Sequence, residues 1–153
     1  HLYGQSCEMN KILKISKRHK LYVIEDSAEA FGSKYREKYL GTIGDIGCFS
    51  FYGNKTIATG EGGCCITNNK KFFDKILLLK NQGMTDKKRY YHFLPGYNFR
   101  MTNLQAAIGL AQLKKIKKFF FKRKFIENYY FKNLKNLPFF KPQQAVKNTT
   151  KIN

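Results

Sequence analysis

From Glu8 to Lys20 the apolar residues Met9, Ile12, Leu13 and Ile15 recur among lysines at an approximately helical spacing, which predicts a helix. The pattern then changes to the short apolar run Leu21-Tyr22-Val23-Ile24, a predicted buried strand ending in Glu25-Asp26-Ser27. Phe31 to Gly44 is rich in Gly and Tyr with charges between, which suits a hairpin or an irregular excursion over the surface. Ile46 to Tyr52 is again strand-like, and Gly62 to Thr67 predicts another strand after the turn Gly60-Glu61-Gly62-Gly63. Phe72, Phe73, Ile76, Leu77 and Leu79 predict a helix over Asn69 to Asn81, capped by Asn68 or Asn69. Gln82 to Phe99 has no period and contains Pro95-Gly96; a loop of this length inside a compact protein tends to be functional. From Thr102-Asn103 to about Leu137 the pattern predicts one long helix, ended by Pro138. Its apolar stripe is Leu104, Ala107, Ile108, Ala111, Ile116 and Phe120, and Lys114, Lys115, Lys117 and Lys118 face water.

This alternation predicts an α/β chain. Asp26 falls at the carboxyl end of a predicted parallel strand, the place where open α/β sheets bind their ligands. A length of 153 residues suits one domain and is short for an enzyme with two substrate-binding lobes. The chain opens on His1 rather than Met, and Gln143 to Asn153 is polar without a hydrophobic period, so both ends are expected to be cut or frayed.

Charge adds a second candidate partner. Lys+Arg number 29 against 10 Asp+Glu, a formal +19 that by itself suggests nucleic acid, an anionic membrane surface or a phosphorylated ligand. The lysines come with an excess of Asn, Ile, Tyr and Phe, however, the mark of a composition bias spread over solvated faces, and no nucleic-acid motif accompanies them. Cys7, Cys48, Cys64 and Cys65 form no CxxC pair and have no His at zinc spacing, so neither a disulfide framework nor a metal site is expected. Cys64-Cys65 are expected to pack in a buried strand. No apolar run is long enough to span a bilayer, and a reducing cytoplasm is the expected compartment.

The segment from Phe49 to Gly63 carries the chemistry. It sets Lys55 just past a strand, between small and hydroxyl residues. A lysine so placed can form a Schiff base with an aldehyde if burial or a neighbouring cation lowers its pKa, and Ser50 or Thr56 can offer a hydroxyl to an anion. A Schiff-base cofactor with a pyridine ring also needs an acid to keep the ring protonated, a role open to Asp26. On residue types alone, a surface lysine and a turn-capping aspartate fit the same pattern.

The ordered strings Glu25-Asp26-Ser27-Ala28-Glu29-Ala30-Phe31-Gly32, Gly41-Thr42-Ile43-Gly44-Asp45, Phe49-Ser50-Phe51 with Lys55, Gly60-Glu61-Gly62-Gly63 and Gly96-Tyr97-Asn98-Phe99-Arg100-Met101 resemble the DegT-type aminotransferases of nucleotide-linked keto sugars. The resemblance runs from His1-Leu2-Tyr3-Gly4 to about Leu137. Phe51 to Ile57 and Asn103 to Leu113 are most similar to the members that aminate the C4 ketone of GDP-4-keto-6-deoxymannose. The resemblance implies the large-domain portion of the fold-type-I, aspartate-aminotransferase-like fold, a mostly parallel sheet flanked by helices. Residues 1–137 would be the central part of the domain that binds pyridoxal 5'-phosphate, including the long helix 102–137. Residues 138–153 would begin a linker or small domain, cut short.

The same resemblance implies site roles. Lys55 would hold the cofactor and move the proton, Asp26 would partner the pyridinium nitrogen, and Ser50 would bind the cofactor phosphate. Asn98 would reach that phosphate from a neighbouring subunit, implying a homodimer with shared active sites. Glu29 stands where the family often has Gln against the cofactor's phenolic oxygen, so its carboxylate has to be protonated or turned away. Tyr90, Tyr91 and His92 would touch the sugar or nucleotide, or else pack on the neighbouring subunit. Lys55 itself argues against the family's dehydratases, which carry histidine there. The implied reaction moves an amino group from glutamate to a nucleotide-linked 4-keto-6-deoxy sugar for surface-polysaccharide synthesis. Two other readings stand beside it: an inactive truncated remnant serving as an interaction module, and a basic nucleic-acid binder.

Overall fold

A computed structural model describes residues 1–152. In chain order its elements are α1 (Met9–His19), β1 (Ile24–Asp26), β2 (Lys34–Tyr35), β3 (Lys38–Tyr39), β4 (Ile46–Ser50), β5 (Gly63–Ile66), α2 (Lys70–Lys80), α3 (Asn103–Leu113), α4 (Ile116–Leu134) and β6 (Thr149–Thr150). Among the described residues two three-stranded sheets form, in the orders β1-β4-β5 and β3-β2-β6. β1 and β4 run parallel, and β5 joins β4 antiparallel. The β2–β3 hairpin turns through Arg36 and Glu37, both at positive φ (47° and 63°), the handedness that matches strand twist in a two-residue turn.

The core lies between α1, the turn after β1 and the hairpin. Met9, Val23, Ala30, Tyr35 and Leu40 are buried together, with Ile12, Leu13, Ile43 and Val146 packed against them. Two devices hold the crossing of the 41–44 loop over β4. The Glu25 carboxylate, only 3% exposed, accepts the backbone N–H groups of Gly41 (2.9 Å), Ile43 (2.6 Å) and Gly44 (2.6 Å), and its Oε2 lies 3.0 Å from His1 Nε2. Gly47 lets the loop approach, since a Cβ there would stand 1.9 Å from the Gly41 carbonyl oxygen.

Several expectations need correction. The buried strand at Leu21–Ile24 is displaced: β1 starts at Ile24, and only Val23 of the run is buried, while Ile24 is 66% exposed. The apolar run therefore marks one face of a sheet whose other face is bare among the described residues. Cys64 and Cys65 lie in β5 as expected but are exposed, since β5 is an edge strand of its sheet and is exposed along its whole length. The long helix 102–137 is two helices, because Lys115 leaves helical geometry (φ −105°, ψ 8°) between α3 and α4. Neither helix buries a residue, and of the expected stripe only Ile116 and Phe120 are half-buried. The tail is more ordered than its polar composition suggested: β6 pairs with β2, and the Ile152 N–H donates to Ser33 Oγ at 2.9 Å.

Candidate active site

Lys55 is carried by the loop 51–62 between β4 and β5. The loop is closed at its base by Phe51 N–H to the Gly62 carbonyl (2.8 Å) and Thr59 N–H to the Phe51 carbonyl (2.8 Å). Within it the Lys55 N–H donates to the Tyr52 carbonyl (2.9 Å), a local turn that sends the side chain across the carboxyl ends of β1 and β4. The Lys55 side chain is largely buried, and its Nζ lies 3.8 Å from Glu29 Oε1. Glu29 Oε2 accepts the Tyr3 N–H at 3.1 Å. The Glu29 carboxylate thus turns toward the lysine amine. Both groups line a cavity of about 290 Å³ together with Tyr3, Ala28, Phe31, Asn54, Thr56, Arg123 and Ile152.

Asp26 and Ser50 end the two parallel strands. Asp26 is in register with Cys48, two residues before Ser50, so alternation sets Asp26 and Ser50 on one face at one end of the sheet. Asp26 Oδ1 accepts the Ala28 N–H (3.1 Å), and Ser50 Oγ accepts the Tyr52 N–H (3.3 Å). The same face carries the Cys48 and Cys65 sulfurs, 3.9 Å apart. Partial burial first, then Cys65, then the Asp26 charge push the Cys48 thiol up to about 11. Neither Asp26 nor Ser50 lines the Lys55 cavity.

The remaining candidates lie apart from Lys55. Asn98 bridges to Asn81, accepts a 3.4 Å bond from Arg100 Nε, and lines a separate concavity with Gln82 and His92. His92 donates Nδ1–H to the Gln82 carbonyl (2.6 Å). Tyr90 is 88% exposed, and Tyr91 packs edge-on against Phe93 at 4.9 Å. The structure thus brings Lys55 and Glu29 together, sets Asp26 and Ser50 on a nearby sheet face, and keeps Asn98, Tyr90, Tyr91 and His92 elsewhere.

Four residues with a part in this geometry went unread in the sequence. Glu25 builds the loop under the sheet end, Arg123 adds a cation to the Lys55 cavity, and Gln105 and Gln112 bind the Lys55 loop from α3. Periodicity cannot report them, since Glu25, Gln105 and Gln112 act through polar contacts to residues distant in sequence. The capping-box pattern Thr102-x-x-Gln105, realised at the start of α3, was the one available signal.

An α/β sheet that gathers an amine, two carboxylates and a hydroxyl at the carboxyl ends of its parallel strands is the framework of a ligand-binding enzyme domain. The profile of the DegT/DnrJ/EryC1/StrS aminotransferase family matches residues 1–153, and the chain belongs to that family. It is 53% identical over 137 residues to GDP-perosamine synthase of Escherichia coli O157:H7, an alignment covering 90% of this chain and 38% of that protein. DesV of S. venezuelae in complex with a ketimine intermediate superposes with a TM-score of 0.91 at 28% identity, over 99% of this chain and 41% of DesV. The E. coli GDP-4-keto-6-deoxy-D-mannose-3-dehydratase with bound hydrated PLP gives 0.85 at 29%, over 95% of this chain and 42% of its own. The fold is therefore the α/β fold shared by these proteins, and the chain spans about two-fifths of the length of the relatives it matches. Among the described residues no helix is long and apolar enough to cross a membrane.

Proposed function

We propose that this chain is the cofactor-holding part of a pyridoxal-phosphate aminotransferase that moves an amino group from glutamate to the C4 ketone of a GDP-linked 4-keto-6-deoxy sugar. The observation that carries the reading is the partly buried amine of Lys55 in a cavity beyond the ends of β1 and β4, in a sequence 53% identical to a GDP-perosamine synthase. The donor set suits the cofactor: a primary amine in a walled cavity, and an exposed carboxylate and a hydroxyl on one sheet face at the same strand ends. Lys55 would hold pyridoxal phosphate covalently, Asp26 would pair with its ring nitrogen, and Ser50 would bind its phosphate. When bound, the cofactor supplies an electron sink for the carbanion left when the amino acid loses its α-proton.

In this reading Lys55 also moves the proton, as a general base and then as a general acid. Glu29 orients the Lys55 amine by the contact at 3.8 Å. Phe31 and Ala28 keep one wall of the cavity apolar, which limits water around the amine. Asn98 lies outside the Lys55 cavity, which supports a homodimer in which it serves the partner's site. Tyr90, Tyr91 and His92 are assigned to the nucleotide-sugar side on the same ground. Residues 1–137 are assigned to the cofactor-binding segment and 138–153 to the start of a linker or small domain, a tail whose Val146, β6 and Ile152 pack on that segment. The cytoplasm, where nucleotide sugars and free thiols coexist, is the inferred compartment.

The test is cofactor trapping. The purified chain is mixed with pyridoxal phosphate, reduced with borohydride and mapped by peptide mass spectrometry. One stoichiometric adduct at Lys55, absent from Lys55→Arg, is expected. Adducts scattered over the surface lysines, with none enriched at Lys55, would overturn the assignment for this chain.

A further inference from the structure

The loop that carries Lys55 is tied to α3 by two side chains, and Gln112 grips it nearer to the lysine. Gln112 accepts the Ala58 N–H through Oε1 (3.1 Å) and donates from Nε2 to the Ala58 carbonyl (2.5 Å). These two bonds satisfy both backbone groups of a residue three positions past Lys55, from 54 positions away in the chain. A primary amide donates and accepts in this paired way without any change of protonation, so the side chain imitates a neighbouring strand. α3 is itself fixed to the same loop. Its capping-box residue Gln105 donates from Nε2 to the Glu61 carbonyl (3.2 Å), and the Thr59 hydroxyl, buried beneath the helix, donates to that same carbonyl (2.6 Å). A Cβ at Gly109 would meet Thr59 Cγ2 at 3.1 Å, which shows how closely helix and loop pack. By contrast, among the described residues the Lys55 backbone bonds only within its own turn, to Tyr52.

We propose that Gln112 is a positioning residue for Lys55: by pinning Ala58 it fixes the 55–59 segment and keeps the lysine amine in the cavity beside Glu29. Without those bonds the backbone at Ala58 loses its tie to α3, the packing of buried Ile57 and Thr59 is left to hold the segment, and the amine samples conformations outside the cavity. The inference rests on the reading of Lys55 as the cofactor lysine, and it concerns capture of the cofactor rather than turnover.

The experiment measures, in the same trapping reaction, the ratio of Lys55 adduct to adducts on the exposed lysines Lys70 and Lys117. Gln112→Leu keeps the side-chain bulk and removes both bonds. Loss of about one net hydrogen bond of positioning is roughly tenfold, and the ratio is expected to fall about that much. Asn69→Ala, which removes the α2 cap and destabilises the chain elsewhere, is expected to leave the ratio unchanged. Amide exchange at Ala58 is expected to quicken in Gln112→Leu and not in Asn69→Ala. If Gln112→Leu does not fold, Gln112→Glu decides: it retains the acceptor for Ala58 N–H, sets an oxygen against the Ala58 carbonyl, and should lower the same ratio. A wild-type ratio in a folded Gln112 variant would overturn the inference while leaving Lys55 as the cofactor lysine. A wild-type chain with no preference for Lys55 would overturn both.

Discussion

At the scale of single residues, the strand ends combine groups whose charges depend on their neighbours. Cys48 is partly buried between Cys65 on one strand and Asp26 on the other, and burial first, then these neighbours, push its thiol from an ordinary 9.0 up to about 11. The folded chain thus holds this proton more tightly than the unfolded chain does. The associated stability is complete below pH 9 and is lost as the pH rises through about 11. Cys48→Ser should flatten that part of the profile relative to wild type, as read from urea midpoints at steps across this range. Iodoacetamide, which attacks thiolates, should label exposed Cys7 well before Cys48 near neutral pH. Equal labelling rates at the two thiols, or identical alkaline profiles for wild type and Cys48→Ser, would show that the pairing across β4 does not hold the proton. The places of Asp26 at one strand end and of Lys55 past another were legible in the apolar runs, whereas their site roles rest on the resemblance, because residue type alone also fits a turn-capping aspartate and a surface lysine. The turning of Glu29 toward Lys55 was not legible, since it depends on a loop closing over 26 positions of chain between them.

At the scale of elements, local signals predicted what local forces decide. Asn69 caps α2 through Oδ1, accepting from Lys71 N–H (2.9 Å) and Phe72 N–H (3.4 Å), as its position before Lys70 suggested. The hairpin, β4 and β5 also fall within the predicted segments. The break between α3 and α4 carries no Gly or Pro, so nothing in Lys114-Lys115 announced it. The crossing of the 41–44 loop over β4 was equally silent, although it depends on one glycine. Gly47→Ala would push a methyl group against the Gly41 carbonyl, a backbone atom that three bonds to Glu25 and its neighbours prevent from yielding. Overpacking of this kind costs about 3 kcal/mol, a large part of a small domain's stability. A chemical-denaturation curve for Gly47→Ala should show that loss, with Gly53→Ala, which meets nothing within 4 Å, as the comparison. A Gly47→Ala midpoint equal to that of Gly53→Ala would mean that the loop does not approach the strand so closely.

At the scale of the whole molecule, two surface properties oppose each other. The formal charge of +19 keeps copies apart at low ionic strength, while α3 and α4 present an apolar face on which Leu104 is 80% and Phe121 73% exposed. Of the predicted stripe, Leu104, Ala107, Ile108 and Ala111 are exposed; a sequence pattern says only which side of a helix is apolar, and what covers it depends on partners the pattern does not contain. Coulomb repulsion between exposed charges is screened by salt, whereas burial of apolar surface is not weakened by it. The isolated chain should therefore be monomeric in dilute buffer at low salt and associate as salt is raised, the reverse of a charge-driven contact. Sedimentation velocity across a salt series checks this, with Leu104→Gln/Phe121→Gln as the variant expected to remain monomeric throughout. Association that weakens with salt would instead assign the contact to charge. In that case the basic surface, and not the α3–α4 face, would be the part of this chain that recognises a partner.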